Sequence, residues 1–234
     1  MTDTTLNLIL ALFAFVGSHL LMSSSFIRTP LRAKIGKWPF TIVYSIISFV
    51  TFYAILQTYG QMDSTDMWDV PTGLKHLSLT LMLLAILFII HGALTVNPGT
   101  FAMEQAGLKN PAKGVHKITR HPVSWGIILW GISHVLANSD LRGLLLFSAM
   151  AALSFLGAMN IDRKRQAEFG DSWQNYANTT SFFPFQALFQ KHNSLNKSDL
   201  SWIKISLSII IYGSILWAHS MLFGVDVIPV LSGS

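Results

Sequence analysis

The sequence has 234 residues and no cysteine. Disulfides, thiolate metal ligands, cysteine catalysis and covalent haem attachment through a Cys-x-x-Cys-His motif are therefore excluded. Charge is also scarce, since Asp, Glu, Lys and Arg make up 12% of the residues and hydrophobic residues 51%. A typical soluble domain carries about 25% charged residues. This composition predicts that lipid is the main solvent of the chain.

The N-terminal stretch, MTDTTLNLILALFAFVGSHLL, lacks the basic region and cleavage site of a secretory signal peptide. We therefore interpret it as a retained first transmembrane helix. A membrane span needs about 20 mostly apolar residues. Six stretches qualify: 5–26, 39–60, 76–97, 122–138, 141–160 and 203–223.

The predicted fold is all-α, a single integral membrane domain over residues 1–234. It has six transmembrane helices and a short cytoplasmic amphipathic helix between the fifth and sixth, within the charged and aromatic stretch 162–202. The segment FFPF and the apolar residues after it are predicted to re-enter the membrane interface. The tight turn ANSD at 137–140 predicts that the fourth and fifth spans form an antiparallel hairpin.

The basic residues predict the orientation. If the N-terminus faces outward, all of the 16 Lys and Arg residues except Lys75 and Arg142 lie in inside loops. Cytoplasmic loops of membrane proteins carry such an excess. We therefore expect a multi-pass membrane protein whose two termini both face the periplasm or its equivalent. The basic residues that raise the isoelectric point are thus interpreted as signals for orientation in the membrane. The predicted partner is therefore the lipid bilayer and not nucleic acid.

Four of the eight histidines fall well inside predicted spans: His19, His91, His134 and His219. An ionisable side chain at membrane depth is a functional candidate by default, although a single histidine is often only an interhelical hydrogen-bonding residue. Two imidazoles from facing helices suit a metal or haem iron. No intramembrane Asp or Glu accompanies them, so a dinuclear carboxylate site is not expected. The depth of each histidine in the membrane, estimated from its position along the span at about 1.5 Å per residue, pairs His19 with His91 and His134 with His219.

Several segments resemble the NnrU family, bacterial membrane proteins associated with nitrite and nitric oxide reduction and related to plant zeta-carotene isomerase. They are GSHLLMSS (17–24), KWPFTIVYSIISF (37–49), RHPVSWGIILWGISHVLANSDLRGLLLFSAMAAL (120–153) and HSMLFGVDVIP (219–229). The resemblance implies b-type haem. It further implies cis–trans isomerisation of a hydrophobic polyene, or an accessory role with a redox partner in nitrogen-oxide metabolism.

By position, the resemblance implies that His19 and His134 ligate the haem iron. This pair differs from the pairs that depth favours. His219 is the substitute or exchange ligand, and His91 also stays open as one. His76, at the outer end of the third span, lies where the family tends to keep a histidine. It either binds the cofactor or bonds a neighbouring helix.

Residues 120–122, Arg-His-Pro, predict a second site. Proline suits the first position of a helix, and a helix N-terminus attracts anions. His121 lies thirteen residues before His134, a rise of about 20 Å, which exceeds the reach of a porphyrin from its iron. Arg120 and His121 therefore mark a separate anion site, or His121 is a helix cap with a lipid phosphate nearby.

The same turn also resembles isoprenylcysteine-type membrane methyltransferases, through RHP-x3-G at 120–126 and EFG-x2-W-x2-Y at 168–176, followed by FFPF. This resemblance implies an S-adenosylmethionine site. Arg120, His121, Trp173 and Tyr176 occupy the corresponding positions. The paired glutamates of those enzymes are absent, and Ile161–Asp162 stands roughly in their place, so this is the alternative function.

Overall fold

The computed structural model describes residues 3–98, 107–109 and 111–227, and all structural statements concern these ranges. They contain no β-strand and two short 3₁₀ turns, Gly114–Lys117 and Lys197–Asp199. The α-helices in the same ranges are α1 (Asp3–Ser23), α2 (Ser25–Ile35), α3 (Lys37–Gln61), α4 (Thr72–Ala93), α5 (Pro122–Ala137), α6 (Leu141–Phe169), α7 (Asp171–Asn178), α8 (Gln186–Phe189) and α9 (Trp202–Phe223).

Five helices are long and apolar enough to cross a membrane: α1, α3, α4, α6 and α9. Helix α5 is apolar but has 16 residues. Large apolar side chains point away from the bundle, as at Phe13 (76% exposed), Phe49 (75%) and Ile203 (82%). This outward distribution is expected where lipid surrounds the helices. The chain is an all-helical, multi-pass membrane protein.

The first predicted span, 5–26, is divided in the structure. Helix α1 ends at Ser23 and α2 begins at Ser25, with Ser24 in an extended conformation between them. The hydroxyls of Ser23 and Ser24 donate to the carbonyls of Leu20 and Leu21 at 3.2 and 2.7 Å. Serine side chains that bond the backbone in this way favour a helix end.

The fifth predicted span, 141–160, is too short. Helix α6 continues to Phe169, so the charged run 162–168 extends this helix instead of forming a separate surface helix. It ends at Gly170, whose φ of 50° is a backbone conformation that glycine adopts easily. A short helix, α7, begins directly after that glycine, and its position on the cytoplasmic surface stays a prediction.

The helices pack in two groups that share α6. Helix α1 packs against α3 and α6, whereas α5 packs against α4 and α6, and α9 packs against α4. The predicted hairpin turn between α5 and α6 is present. Oδ1 of Asp140 accepts the backbone N–H of Gly143 at 2.6 Å, which caps the N-terminus of α6. Ser64, in the α3–α4 loop, donates to Oδ2 of Asp140 at 3.0 Å and holds that loop over the turn.

Glycine lets α5 approach its neighbours closely. A Cβ atom at Gly126 would lie 2.5 Å from a side-chain carbon of Ile89 and 2.8 Å from the carbonyl oxygen of Ala85, both on α4. At Gly131 it would lie 2.8 Å from the carbonyl oxygen of Phe147 on α6. Small residues at such positions are typical of helix contacts in membranes, where van der Waals packing drives association.

We expect Gly126→Ala to lower the free energy of unfolding by about 1–3 kcal/mol, because the added methyl group overpacks the contact with α4. Thermal unfolding in detergent measures this. The matched control is Gly157→Ala on α6, where a Cβ atom meets nothing within 4 Å. That variant should be neutral or slightly more stable, and equal losses in both variants would contradict close packing at Gly126.

Candidate functional site

His19 lies near the end of α1 and faces α3. Its Nδ1 atom is 3.0 Å from the carbonyl oxygen of Phe15, one turn earlier. Its Nε2 atom is 3.3 Å from Oγ of Ser48, and its ring packs at 5.3 Å, edge to face, against Tyr44. The hydroxyl of Ser48 is also 2.8 Å from the carbonyl oxygen of Tyr44. The Ser48 hydroxyl has one proton, so it can donate either to Nε2 of His19 or to the carbonyl oxygen of Tyr44.

His134 lies near the end of α5 and faces α6. Its Nδ1 atom is 2.8 Å from the carbonyl oxygen of Trp130, again one turn earlier. The ring stacks against Phe147 of α6, with centroids 4.4 Å apart and planes inclined by 30°. Trp130 packs against the imidazole with a centroid distance of 5.1 Å.

These contacts fix the same tautomer in both imidazoles. A carbonyl oxygen only accepts hydrogen bonds, so Nδ1 of His19 and of His134 must carry the proton. In the neutral ring the lone pair then lies on Nε2. Histidines that bind metals commonly donate their other ring N–H to a backbone carbonyl in this way. Both side chains therefore present Nε2 as a donor atom for a metal.

The remaining intramembrane histidines lie in different surroundings. His219 on α9 places Nδ1 3.0 Å from the carbonyl oxygen of Val225, and its charge acts on the imidazole of His134. Nε2 of His91 on α4 is buried without a hydrogen-bond partner among the described residues. His76 is exposed near the start of α4.

The depth estimate that pairs His134 with His219 stays a prediction. The neighbours of the His19 ring lie on α1 and α3, and those of the His134 ring lie on α5 and α6. Helix α6 stands between the two groups of helices. Within the described ranges, no group of three or more His, Asp or Glu residues could hold a metal ion. Ligation of one iron by His19 and His134 therefore stays a prediction.

A second cluster forms where the Arg-His-Pro turn meets α6. Asp162 accepts hydrogen bonds from Nε of Arg120 at 2.9 Å and from Nη2 of Arg120 at 2.5 Å. Nε2 of His121 lies 2.6 Å from the other carboxylate oxygen. These side chains are 20% (Asp162), 15% (Arg120) and 3% (His121) exposed. The anion at this turn is thus a carboxylate of the chain itself.

In the sequence, Asp162 stands out only as a departure from the methyltransferase motif. A charged residue one turn beyond the apolar part of a span was the available signal. Pro122 takes the first helical position as predicted, and His121 is the residue before it. The His121 side chain makes no capping bond to the helix amides. His121 thus holds the N-cap position of α5, but its imidazole bonds Asp162 and not the helix amides. An additional external anion at this turn stays a prediction.

The segment 180–185 returns to the turn and fixes its backbone. The N–H groups of Arg120 and Phe185 donate to the carbonyls of Ser181 and Ile118, each at 2.8 Å. The indole Nε1 of Trp125 donates to the carbonyl of Phe182 at 2.8 Å. The Phe182 ring packs against His121 with a centroid distance of 5.3 Å. The apolar segment FFPF therefore positions the Arg120–His121–Asp162 cluster.

Trp173 and Tyr176, the other predicted residues of this site, lie beside the cluster. Both are buried, and their ring centroids are 5.7 Å apart. Burial raises the pKa of Tyr176, and the charges of Arg120 and Asp162 act on its hydroxyl. The hydroxyl has no hydrogen-bond partner among the described residues. A surface pocket of about 550 Å³ opens next to Arg120 and is lined also by Asn178, Phe182, Phe183, Gln190 and His192.

His116 is a buried residue that sequence analysis did not single out. It is 1% exposed, and neither ring nitrogen has a hydrogen-bond partner among the described residues. Burial lowers its pKa to about 4, and the charges of His121 and Lys204 act in the same direction. No motif marks this residue, since it lies in a short 3₁₀ turn outside the predicted membrane spans.

We expect His116 to make the protein less stable in acid. The unfolded ring, with a pKa of 6.5, binds a proton as the pH falls, whereas the folded ring stays neutral down to a pH of about 4. Protonation of the unfolded state therefore removes up to about 3 kcal/mol between these two pH values. Thermal unfolding from pH 7.5 to 4 measures it. His116→Leu should flatten this profile and the exposed His192→Leu should not; identical profiles in all three proteins would contradict the assignment.

Comparison with known proteins identifies the family. Residues 7–227 match the family model described as NnrU protein. The chain belongs to the NnrU family. Two curated relatives of this NnrU chain are both named 15-cis-zeta-carotene isomerase, chloroplastic. The protein of Zea mays is 26% identical over 143 residues, which cover 58% of this chain and 37% of that protein. The protein of Arabidopsis thaliana is 30% identical over 99 residues, which cover 40% of this chain and 27% of that protein.

The NnrU chain thus spans about a third of the length of the curated relatives that it matches. No solved structure matches it. The family assignment confirms the resemblance found in the sequence, and it covers both α1 with His19 and α5 with His134.

Proposed function

We propose that this NnrU chain binds haem b in the membrane through His19 and His134 and acts as a cis–trans isomerase of a hydrophobic polyene. The observation that carries the proposal is the shared geometry of the two imidazoles. Each holds Nδ1 against the carbonyl one turn earlier and keeps the lone pair on Nε2. The names of the plant relatives supply the reaction class.

The donor set fits the group. Two neutral imidazoles in a cysteine-free bundle suit haem iron, and His19 and His134 would hold it through their Nε2 atoms. When bound, the haem iron would supply Lewis acidity next to a double bond. The protein residues have separate tasks: Phe15 and Trp130 carbonyls orient the rings, and Phe147 supports the His134 imidazole. His219 on α9, which lies in a segment that resembles the family, is the proposed substitute ligand.

The isomerase activity is tested with purified protein and a 15-cis polyene. Isomers are separated by chromatography after incubation in detergent. We expect loss of the cis isomer with the wild-type protein and no loss with His134→Ala. A haem-loaded protein that leaves the polyene unchanged would favour the accessory alternative, in which this chain passes electrons to a redox partner in nitrogen-oxide metabolism. A deletion strain with a normal carotenoid profile and impaired nitrite respiration would support that alternative.

The proposed topology has six spans in the bacterial inner membrane, with both termini periplasmic and α7 on the cytoplasmic surface. The distribution of Lys and Arg supports it. Helix α5 supplies the sixth span, since 16 residues rise about 24 Å. Because the chain has no cysteine, a variant with one introduced cysteine reports directly on which side of the membrane that residue lies. A membrane-impermeant maleimide should label Thr65→Cys in intact cells and should label Ser194→Cys only after lysis.

Methyl transfer from S-adenosylmethionine is a second candidate. Asp162 supplies a carboxylate at the Arg-His-Pro turn, where the glutamates of the methyltransferases are missing from the sequence, and a pocket opens beside Arg120. Calorimetric titration with S-adenosylmethionine separates the candidates. A haem-only protein gives no heat of binding, whereas a methyltransferase gives saturable heat.

A further inference from the structure

The C-terminal end of α3 is tied to the start of α6 by Arg142. Nη1 of Arg142 donates to the carbonyl oxygen of Met62, the residue that follows α3, at 3.0 Å. The guanidinium carbon lies 4.9 Å from the centroid of the Tyr59 ring in the last turn of α3. Nε of the same side chain lies 3.6 Å from Oδ2 of Asp140. One cation therefore joins the end of α3 to the turn between α5 and α6.

The α3–α4 loop makes further bonds to the same turn. The N–H of Met67 donates to the carbonyl oxygen of Ser139 at 2.9 Å, and Oγ of Ser139 donates to Oδ1 of Asp66. Ser139 and Asp140 are 7% and 6% exposed, whereas the two loop residues are exposed. The loop thus lies outside and covers the polar groups of the turn. Buried polar groups that all have partners hold one arrangement of the chain.

The α5–α6 turn is joined to the backbone of His134. The N–H and the side-chain amide of Asn138 both donate to the carbonyl oxygen of His134, at 2.9 and 2.6 Å. A Cβ atom at Gly143 would lie 3.2 Å from Cβ of Asn138, so the turn packs closely on the start of α6. Because His134 lies in the last turn of α5, a shift of this turn would carry the backbone of His134 with it.

Helix α3 also supports the other proposed ligand. The His19 ring packs on Tyr44 and approaches Ser48, and both of these residues belong to α3. Helix α1, which carries His19, packs against α3 along one buried apolar cluster that includes Ile55 and Met62. A helix acts as a rigid element. The position of its C-terminal end therefore determines where Tyr44 and Ser48 lie.

We propose that Arg142 is a positioning residue, which fixes the end of α3 to the α5–α6 turn and so sets the spacing between the helices that carry His19 and His134. The inference rests on the proposed function, because it concerns the same two histidines. Arg142 is not itself a ligand, since a guanidinium group has donors and no acceptor. Ligand side chains must be held within about 0.5 Å of their productive geometry, so a tie between the helices that carry them has a measurable effect.

Distances between two spin labels test the positioning and need no haem. Because the chain has no cysteine, one label is placed on α1 at Phe13→Cys and one on α5 at Ile132→Cys, where both side chains are exposed. We expect a single narrow distance distribution for the otherwise unchanged chain in detergent. Arg142→Met keeps the apolar stem but removes the charge, and it should widen the distribution about twofold because a second arrangement becomes populated.

The second readout is carbon monoxide binding by the reduced, haem-loaded protein. Carbon monoxide takes the place of an imidazole, so it binds in proportion to the population in which one imidazole has left. We expect about tenfold faster binding in Arg142→Met than in the wild type. Arg142→Lys keeps a cation for the Met62 carbonyl and should give smaller changes in both measurements. It also carries both measurements if Arg142→Met does not fold.

The matched control is Arg163→Met, an exposed arginine near the other end of α6. It should agree with the wild type in both measurements. Equal changes in Arg142→Met and Arg163→Met would overturn the positioning role, because the loss of any α6 cation then explains them. Unchanged carbon monoxide binding in Arg142→Met would also overturn it, whether or not the distances widen. A wild-type protein without haem would overturn the proposed function together with this role, and it differs from the other failures, in which the wild type keeps its haem.

Discussion

Asp162→Ala is expected to lower the free energy of unfolding by about 3 kcal/mol, because it leaves the buried His121 and the partly buried Arg120 without their carboxylate. The Arg120 side chain is 15% exposed and that of His121 is 3% exposed, so water cannot replace the lost bonds easily. The loss should appear as a fall in thermal unfolding temperature in detergent. Asp162→Asn keeps an acceptor oxygen and should lose less.

The control for this result is Glu168→Ala on the same helix. Glu168 binds one group, Nη1 of Arg165, at 2.9 Å; the Glu168 side chain is 53% exposed, although that of Arg165 is 9% exposed. Its loss should cost less than the loss of Asp162, which is 20% exposed and binds two groups. A Glu168→Ala loss as large as that of Asp162→Ala would show that the Arg120–His121–Asp162 cluster adds nothing beyond an ordinary surface ion pair.

His134→Ala is expected to abolish haem binding, since it removes the Nε2 donor and the ring that packs on Phe147. His19→Ala should leave the haem bound through one imidazole, or should lose the haem if both ligands are needed to retain it. The measurement is iron content and visible absorbance per chain after purification from haem-replete membranes. His219→Ala should change the spectrum without loss of haem if that residue is an exchange ligand.

The exposed His192→Ala serves as the control for the histidine series and should keep wild-type absorbance. His76→Ala separates the two roles left open for His76, because a hydrogen-bonding role leaves the absorbance unchanged. Full haem content in both His19→Ala and His134→Ala would contradict the proposed ligand pair. Loss of haem only in His134→Ala and His219→Ala would move the site to the α5–α9 side.

Hydropathy predicted the helices well in the segments where contact with lipid requires apolar residues throughout. The starts of α5 and α6 agree with the predicted spans because Pro122 and Asp140 are strong helix-start signals. The end of α6 was missed because the charged run 162–168 is a good helix former and α6 continues past the apolar core. Helix α2 was missed because its basic residues were interpreted only as orientation signals.

The candidate sites were only partly predictable. Arg120, His121, Trp173 and Tyr176 were singled out from motifs, and the structure places them in one neighbourhood. Asp162 joins them only through the packing of α6 against α5, which local sequence does not encode. The same limit applies to His116, whose burial depends on the segment folding over α4. The family resemblance indicated His19 and His134, whereas periodicity alone could not select among four intramembrane histidines.

The most direct test of this account is one optical spectrum of the purified wild-type protein, oxidised and then reduced, with iron measured on the same sample. The account predicts a Soret band that shifts on reduction and about one iron per chain, as expected for a haem with two axial imidazoles. A protein that is folded, purified from haem-replete membranes and lacks both the Soret band and the iron would contradict the central claim.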